Sequence, residues 1–515
     1  MNHRPLPDDD IAASVMTLED LGTVFFSGIG GSGMSVLAEM LHQAGVPVTG
    51  SDRTASSYTK HLESLGIPVI IGQDACNITE KITTVVWSSA IPANSPEMVE
   101  ALQSGKRLMH RSDILSLLMR THRSIAVAGT HGKTTTTSMI ATIFMHSLMD
   151  PSFAIGGSVK TRTGTIPGGR VGHGKWIVAE TDESDGSFIK YHPNITIVTN
   201  AEGDHLDHYK TVDNYREAFS QFVQHAQEYL ILCGDDEGTR FLYRQLPQES
   251  LERVYVYSTE SYDTIHSELL QLPQDRFVEI SNPTEIALRI TPDMNLSQET
   301  EQERFTLILP ESLRQEDMTG EYPVSLKVPG IHNARNATAA IIASLLSGNT
   351  IDNTLRGIES FLGAVRRFDF QGMVNGICLY TDYGHHPTEI KTFIEAARRR
   401  FSQSCLRVLF QPHTYSRTQI YTKELVEALS LADYVYVTDI FAARELASDY
   451  PGVSSQNLID EAIRQGKGNQ FILVGDKYDG ASLMAEQAHF GDILATIGGG
   501  DINLVNETIL SHLAD

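Results

Sequence analysis

The sequence is poor in cysteine. Four occur in 515 residues (Cys76, Cys233, Cys378 and Cys405), scattered and without a C-x-x-C pair. That spacing argues against a disulfide framework and reads as core thiols in a reducing compartment. No apolar run approaches the ~20 residues that cross a bilayer. Met1 to Asp10 holds three consecutive acids and no apolar stretch, unlike a signal peptide. Basic residues are few: 40 Lys and Arg stand against 64 Asp and Glu, for a formal net charge of -24. A nucleic-acid groove or an anionic membrane surface would need clustered cations, so neither partner is expected. Anionic small molecules stay open, because one site can be basic within an acidic chain. Internal repeats and low-complexity tracts are also missing. A cytoplasmic protein without membrane insertion is expected; nothing indicates its oligomeric state.

What is present is length and alternation. At roughly 150 residues per domain the chain has room for about three domains. Short apolar strands at Thr23–Phe26, Val46–Thr49 and Val85–Trp87 alternate with helical periodicity, such as Val36, Leu37, Met40 and Leu41 on one face. Ile125–Ala128, Trp176–Ala179 and Ile195–Thr199 read as strands of a second unit. Ile377–Tyr380, Arg407–Phe410, Tyr434–Thr438, Phe471–Val474 and Ile493–Ile497 read as strands of a third. The class is α/β with parallel sheets. The expected division is 1–122, a Rossmann-like domain; 123–328, a P-loop domain with a β-rich elaboration near 237–326; and 329–515, a second Rossmann-like domain.

Several motifs fall at strand ends. Gly28-Ile29-Gly30-Gly31-Ser32-Gly33 follows the first strand and opens a helix, with Asp52 after the next strand. Glycines admit a pyrophosphate to the helix N-terminus, and a distal acid suits a ribose. A tight turn without ligand has the same spelling, so alone the motif is weak. Gly129-Thr130-His131-Gly132-Lys133-Thr134-Thr135 departs from the full Walker pattern, because Val127 replaces its first glycine. Its core remains: backbone N–H groups for phosphate, Lys133 for β and γ oxygens, and Thr134 for Mg²⁺. Lys133 is expected to face the loop mouth, where its loss would spare the fold. Glu180-Thr181-Asp182-Glu183-Ser184-Asp185 and Asn200-Ala201-Glu202-Gly203-Asp204-His205-Leu206-Asp207 each follow a strand. Carboxylates there suit Mg²⁺, although solvated acidic loops would look the same. His332, Asn333 and Asn336, Arg366-Arg367, Asp382-Tyr383-Gly384-His385-His386-Pro387, and His413 with Arg417 close the series.

In this order the motifs G-T-H-G-K-T-T-T, E-T-D-E-S-D, T-N-A-E-G-D-H-L-D, H-N-A-R-N-A-T-A-A, R-R-F and D-Y-G-H-H-P-T-E resemble the Mur ligases of peptidoglycan synthesis. The resemblance spans nearly the whole chain outside Glu237–Leu326. It implies joining an amino acid, L-alanine, to the muramoyl carboxylate of UDP-N-acetylmuramate through an acyl phosphate, with ATP and Mg²⁺, Mn²⁺ being a possible substitute. It implies a place in cell-wall biogenesis, and so in cell shape and division. By matching motifs it gives ATP to Gly129, Thr130, His131, Gly132, Lys133, Thr134, Thr135, His332, Asn333, Asn336 and Arg367. Thr134, Glu180 and His205 would hold metal. Lys133, Glu180, His205, Arg367 and His385 would be catalytic. Tyr383, His385 and Arg417 would position the amino acid. Gly28, Gly30, Gly31, Ser32, Gly33, Asp52, Ser88 and Ser89 would bind the UDP portion. Two departures matter. Phe219 stands where several sister ligases carry a carbamylated Lys, so no carbamate is expected. Thr414 stands where many alanine-adding members have the first of two arginines, leaving Arg417.

Three other readings compete. A recycling ligase would add a whole peptide to the same acceptor. A non-catalytic nucleotide sensor would have lost the chemistry, against which the intact Lys133, Glu180 and His205 set argues. A nicotinamide dehydrogenase would explain Gly28–Gly33 and Asp52 and leave the phosphate loop without a purpose.

Overall fold

The computed structural model describes residues 17–285, 287–291, 302–314, 320–443 and 445–514. The expectation for Met1–Asp10 lies outside them. Two compact units are formed. One holds residues up to Ser281 with Leu307–Tyr322 and Arg335–Ile358; the other holds Asn282–Thr306, Pro323–Ala334 and Glu359 onward.

The first unit begins with a five-stranded parallel sheet: β1 (Val24–Ser27), β2 (Val48–Asp52), β3 (Val69–Ile71), β4 (Thr84–Trp87) and β5 (Arg107–His110), in the order β3-β2-β1-β4-β5. Both faces of β1 are covered, which is why it reads as a continuous apolar run. Phe26 packs in the cluster of Leu37, Met40 and Leu41, and Phe25 in that of Val85, Met98 and Leu108. Helix α1 (Ser32–Gln43) leaves β1 through the glycine loop, and α2 (Arg111–Arg120) leaves β5.

The same unit continues with β6 (Arg123–Ala128), α3 (Lys133–His146), β7 (Ser152–Ala154), a hairpin of β8 (Val159–Thr161) and β9 (Gly164–Ile166), β10 (Gly169–Arg170), β11 (Trp176–Glu180), β12 (Ile195–Val198), β13 (Tyr229–Cys233) and β14 (Val254–Ser258). They order as β10-β7-β11-β6-β12-β13-β14, followed by β15 (Phe277–Glu285), β16 (Glu303–Ile308) and β17 (Glu321–Leu326). β6 lies between β11 and β12, and all three run parallel. Their carboxyl ends therefore share one edge.

The stretch from Glu237 is not purely β-rich, and that expectation is corrected. Helices Glu237–Gln245 and Tyr262–Glu268 lie in it, and β14 pairs parallel with β13, continuing the α/β alternation. The helices escaped notice because only Leu242, Tyr243 and Ile265 bury large apolar groups. Arg240, Arg244, Glu237 and Glu268 pair across the polar faces and look like a solvated run.

Helix α4 (Ile331–Leu346) leads toward the third sheet: β18 (Asp369–Val374), β19 (Ile377–Asp382), α5 (Pro387–Arg400), β20 (Leu406–Phe410), α6 (Tyr415–Leu429), β21 (Tyr434–Thr438), β22 (Phe471–Gly475) and β23 (Ile493–Ile497), ordered β18-β19-β23-β20-β21-β22. β18 is the antiparallel edge strand and the one strand of this sheet without an apolar run in sequence. Among the described residues no helix is long and apolar enough to cross a membrane.

Candidate active site

The phosphate loop joins β6 to α3. Gly129 (φ +136°) and Gly132 (φ +85°) take backbone conformations that a side chain would strain. A Cβ on Gly129 would lie 2.2 Å from Thr199 Oγ1, and one on Gly132 would lie 2.7 Å from Asn336 Oδ1. The loop is thus wedged between the end of β12 and α4, which brings Asn336 to it. Asn200 fixes it further: its Oδ1 accepts from His131 N at 2.9 Å and its Nδ2 donates to His131 O at 2.9 Å. Thr130 Oγ1 donates to Glu202 O at 2.7 Å.

Thr134 and Glu180 are brought together. Thr134 Oγ1 donates to the carboxylate at 2.9 and 3.0 Å, and Gly156 N donates to it at 2.8 Å. A hydroxyl and a carboxylate beside a phosphate loop are the hard oxygen donors that Mg²⁺ takes, so this pair fits that ion. His205 stands instead beside Glu183 and Asp204, with Nε2 at 3.7 and 3.8 Å from their oxygens. Its φ of +52° is a conformation that costs a non-glycine residue about 1–3 kcal/mol and recurs at functional sites.

Lys133 does not face the loop mouth as expected. Its Nζ donates to Gly129 O at 2.5 Å, Thr130 O at 3.2 Å and the Glu183 carboxylate at 2.9 Å. Burial alone would lower the lysine pKa, but Glu183, Glu180 and Asp182 raise it above the ordinary value. Burial pushes the Glu183 carboxyl up, and Lys133 pulls it back. Glu183 was the main omission of the sequence reading. Its signal was its place in E-T-D-E-S-D, three residues after Glu180.

Arg111 was also missed. It begins α2, lies 3.7 Å from where a Cβ on Gly33 would stand, and bonds Asp182 at 2.7 Å and Asp185 at 3.2 Å. Burial opposes ionisation of Asp182, yet Arg111 and then Lys133 hold it below the usual aspartate range. Ser89 Oγ donates to Asp185 at 2.5 Å and lies 3.2 Å from His110 Nε2. Burial lowers the His110 pKa to about 4. In the glycine loop, Gly28 has φ +78°, and Gly31 precedes Ser32 at the start of α1. Asp52 accepts from Gly30 N at 2.9 Å, so part of its capacity is spent on the loop itself. Ser88 is buried and accepts from Ile91 N through its carbonyl.

In the second unit, the Tyr383 ring is near two guanidinium groups, Arg366 at 4.7 Å and Arg367 at 5.3 Å from its centre. Arg367 donates to Glu389 at 3.2 Å. His385 is 3.1 Å from Tyr383 O, and its ring centroid is 5.1 Å from that of His413. Burial brings the His385 pKa down to about 3, with Arg417 and His413 adding to it and Glu389 opposing. Burial raises the Asp382 carboxyl to about 6, against Arg367. Thr414 (φ +64°) caps α6, accepting from Arg417 N. Asn333 Nδ2 donates to Pro329 O at 2.6 Å, and a Cβ on Gly330 would strike the His332 ring at 2.4 Å. Phe219 is fully buried among Phe188, Tyr215 and Phe222.

Family models match in three successive parts: Mur ligase family, catalytic domain, over residues 23–123; Mur ligase middle domain over 127–344; and Mur ligase, glutamate ligase domain over 366–500. The UDP-N-acetylmuramate–L-alanine ligase of Bifidobacterium adolescentis is 48% identical over 505 residues, covering 96% of this chain and 94% of that protein. That of Paenarthrobacter aurescens is 36% identical, covering 98% and 100%. Among solved structures, the UDP-N-acetylmuramate–alanine ligase of Thermotoga maritima superposes with a TM-score of 0.73 at 25% identity, covering 95% of this chain and 98% of that one. The three family models together span most of the chain and the curated relatives align nearly end to end, so the chain, a three-domain α/β protein, belongs to the Mur ligase family.

Proposed function

We propose that this ligase joins L-alanine to the carboxylate of UDP-N-acetylmuramate with ATP, in the cytoplasmic synthesis of peptidoglycan precursors. One observation carries the reading. Lys133, Thr134 and Glu180 meet at the carboxyl edge of β6 and β11, in a chain that aligns end to end with relatives named for that reaction. ATP with Mg²⁺ would supply the phosphoryl group that activates the acid. Lys133 and the Gly129–Thr135 backbone would hold the phosphates, with Asn336, Asn333, His332 and Arg367 as further ATP contacts. Thr134, Glu180 and His205 would hold metal; imidazole suits Mn²⁺ better than Mg²⁺, so Mn²⁺ should substitute. The Gly28–Gly33 loop, Asp52, Ser88 and Ser89 would take the UDP part. Tyr383, His385 and Arg417 would orient the amino acid, whose amine must be neutral to attack. Burial holds His385 uncharged with its pKa brought down to about 3, so it would orient the amine by hydrogen bonding rather than take its proton. The domain division at 122/123 and 328/329 belongs to the same proposal. The test is ADP release with UDP-N-acetylmuramate and alanine, serine, glycine or a tripeptide supplied singly. Alanine should give the highest kcat/KM; release only with the tripeptide would favour the recycling ligase.

A further inference from the structure

An ammonium group offers three donors. At Lys133, three protein acceptors stand within reach, and one of them is a carboxylate whose side chain is 1% exposed. The carboxylate oxygen that accepts from Lys133 also lies 3.7 Å from His205 Nε2, and Tyr209 OH donates to the Glu183 carbonyl. Glu183 follows Glu180 and Asp182 on the same loop, so three acids crowd the phosphate loop. We propose that Glu183 is a positioning residue: its carboxylate holds Lys133 at the phosphate loop, competes with a nucleotide phosphate for it, and makes nucleotide binding depend on a divalent cation. The proposal rests on the ATP-site reading above.

The physical reason is competition. A nucleotide phosphate must take Lys133 from Glu183 and then lie beside the displaced carboxylate. Like charges a few ångströms apart repel strongly where water is scarce. A divalent cation between them removes that repulsion, which couples cation and nucleotide binding. Glu183→Gln keeps the shape and removes the charge.

The measurement is calorimetric titration with ADP, in EDTA and in Mg²⁺. The wild type should bind ADP with Mg²⁺ and much more weakly without it. E183Q should bind metal-free ADP at least about tenfold more tightly than wild type, with the gain from Mg²⁺ shrinking by a similar factor. E183D, which keeps the charge, should stay within about threefold of wild type in EDTA. A purely structural role for Glu183 would weaken ADP binding in both variants. Folded E183Q with metal-free affinity equal to or below wild type overturns the proposal, and so does equal tightening in E183D. If E183Q does not fold, E183A is read in the same way. Failure of both to fold would make Glu183 a pillar of the structure and also overturn it. No ADP binding by the wild type in Mg²⁺ would instead sink the ATP-site reading.

Discussion

Lys133 shows how a residue can be singled out by its motif and yet be expected in the wrong surroundings. G-K-T-T identifies it, but its partner lies fifty residues downstream. Removing one member of a buried ion pair leaves the other uncompensated, at a cost of about 3–5 kcal/mol. Lys133→Ala should therefore do two things. Turnover should fall at least about a hundredfold, the scale of a lost charge-stabilising donor. Chemical denaturation should show a loss of about 3 kcal/mol. The double variant K133A/E183Q should be more stable than K133A alone, because no buried charge is left over. Additive losses in the double variant would show that the pair is not coupled.

The buried histidines set a pH dependence at the same scale. His110 titrates near 4 and His385 near 3 in the folded protein, against 6.5 ordinarily. Unfolded chains take up these protons first, so folded-state stability falls as pH drops from about 6.5 toward those values. Asp382 works the other way. Its carboxyl is raised to about 6, so the folded state gains as pH falls from 6 to the ordinary aspartate value. Burial raises the carboxyls of Glu39, Glu183, Asp236 and Glu303 as well, and they act with Asp382, so the histidine share of the slope of melting temperature between pH 7 and pH 5 is the quantity to isolate. His110→Gln should reduce that share, and an unchanged slope would remove His110 from the account.

At the level of elements, adjacency did what no single motif could. The three loops that carry G-K-T-T, E-T-D-E-S-D and N-A-E-G-D-H meet because β11, β6 and β12 are neighbours, although β7 to β10 intervene in sequence. Behind the phosphate loop, α3 is held by the helix Ile351–Glu359, which crosses it at Gly357. A Cβ there would lie 2.8 Å from Ile143 Cα. Gly357→Ala should overpack this crossing and cost about 1–3 kcal/mol, read by thermal or chemical unfolding. It should also weaken nucleotide binding, since α3 carries Lys133 and Thr134 at its first turn. An Ala variant as stable as wild type would mean the helices separate without cost. Legibility at this scale followed burial. Strands covered on both faces, such as β1, β6 and β12, were plain in the sequence. β18 was not, because Asp369-Phe370-Gln371-Gly372 at an edge has neither an apolar run nor strict alternation, and its register shifts at Phe370/Gly372.

For the whole molecule, the two glycine loops must serve different ligands if the phosphate loop takes ATP. The first loop is therefore expected to bind UDP-N-acetylmuramate and not NADH. Calorimetric titration with each decides, and tight NADH binding with none for the UDP-sugar would reverse the assignment.

The sequence by itself determined the class of fold, the three-part order of motifs and the identity of most candidate site residues. These depend on local matters: strand runs, glycines at turns, and residue types that phosphate or metal chemistry requires. Tertiary structure alone decided which partner each acid takes. Glu180 sits with Thr134, Glu183 with Lys133, and Asp182 and Asp185 with Arg111. The reason is that a run of six consecutive polar residues has no preferred inward direction of its own. Its carboxylates turn to whichever buried cations neighbouring strands and helices present, and that depends on contacts far apart in the chain.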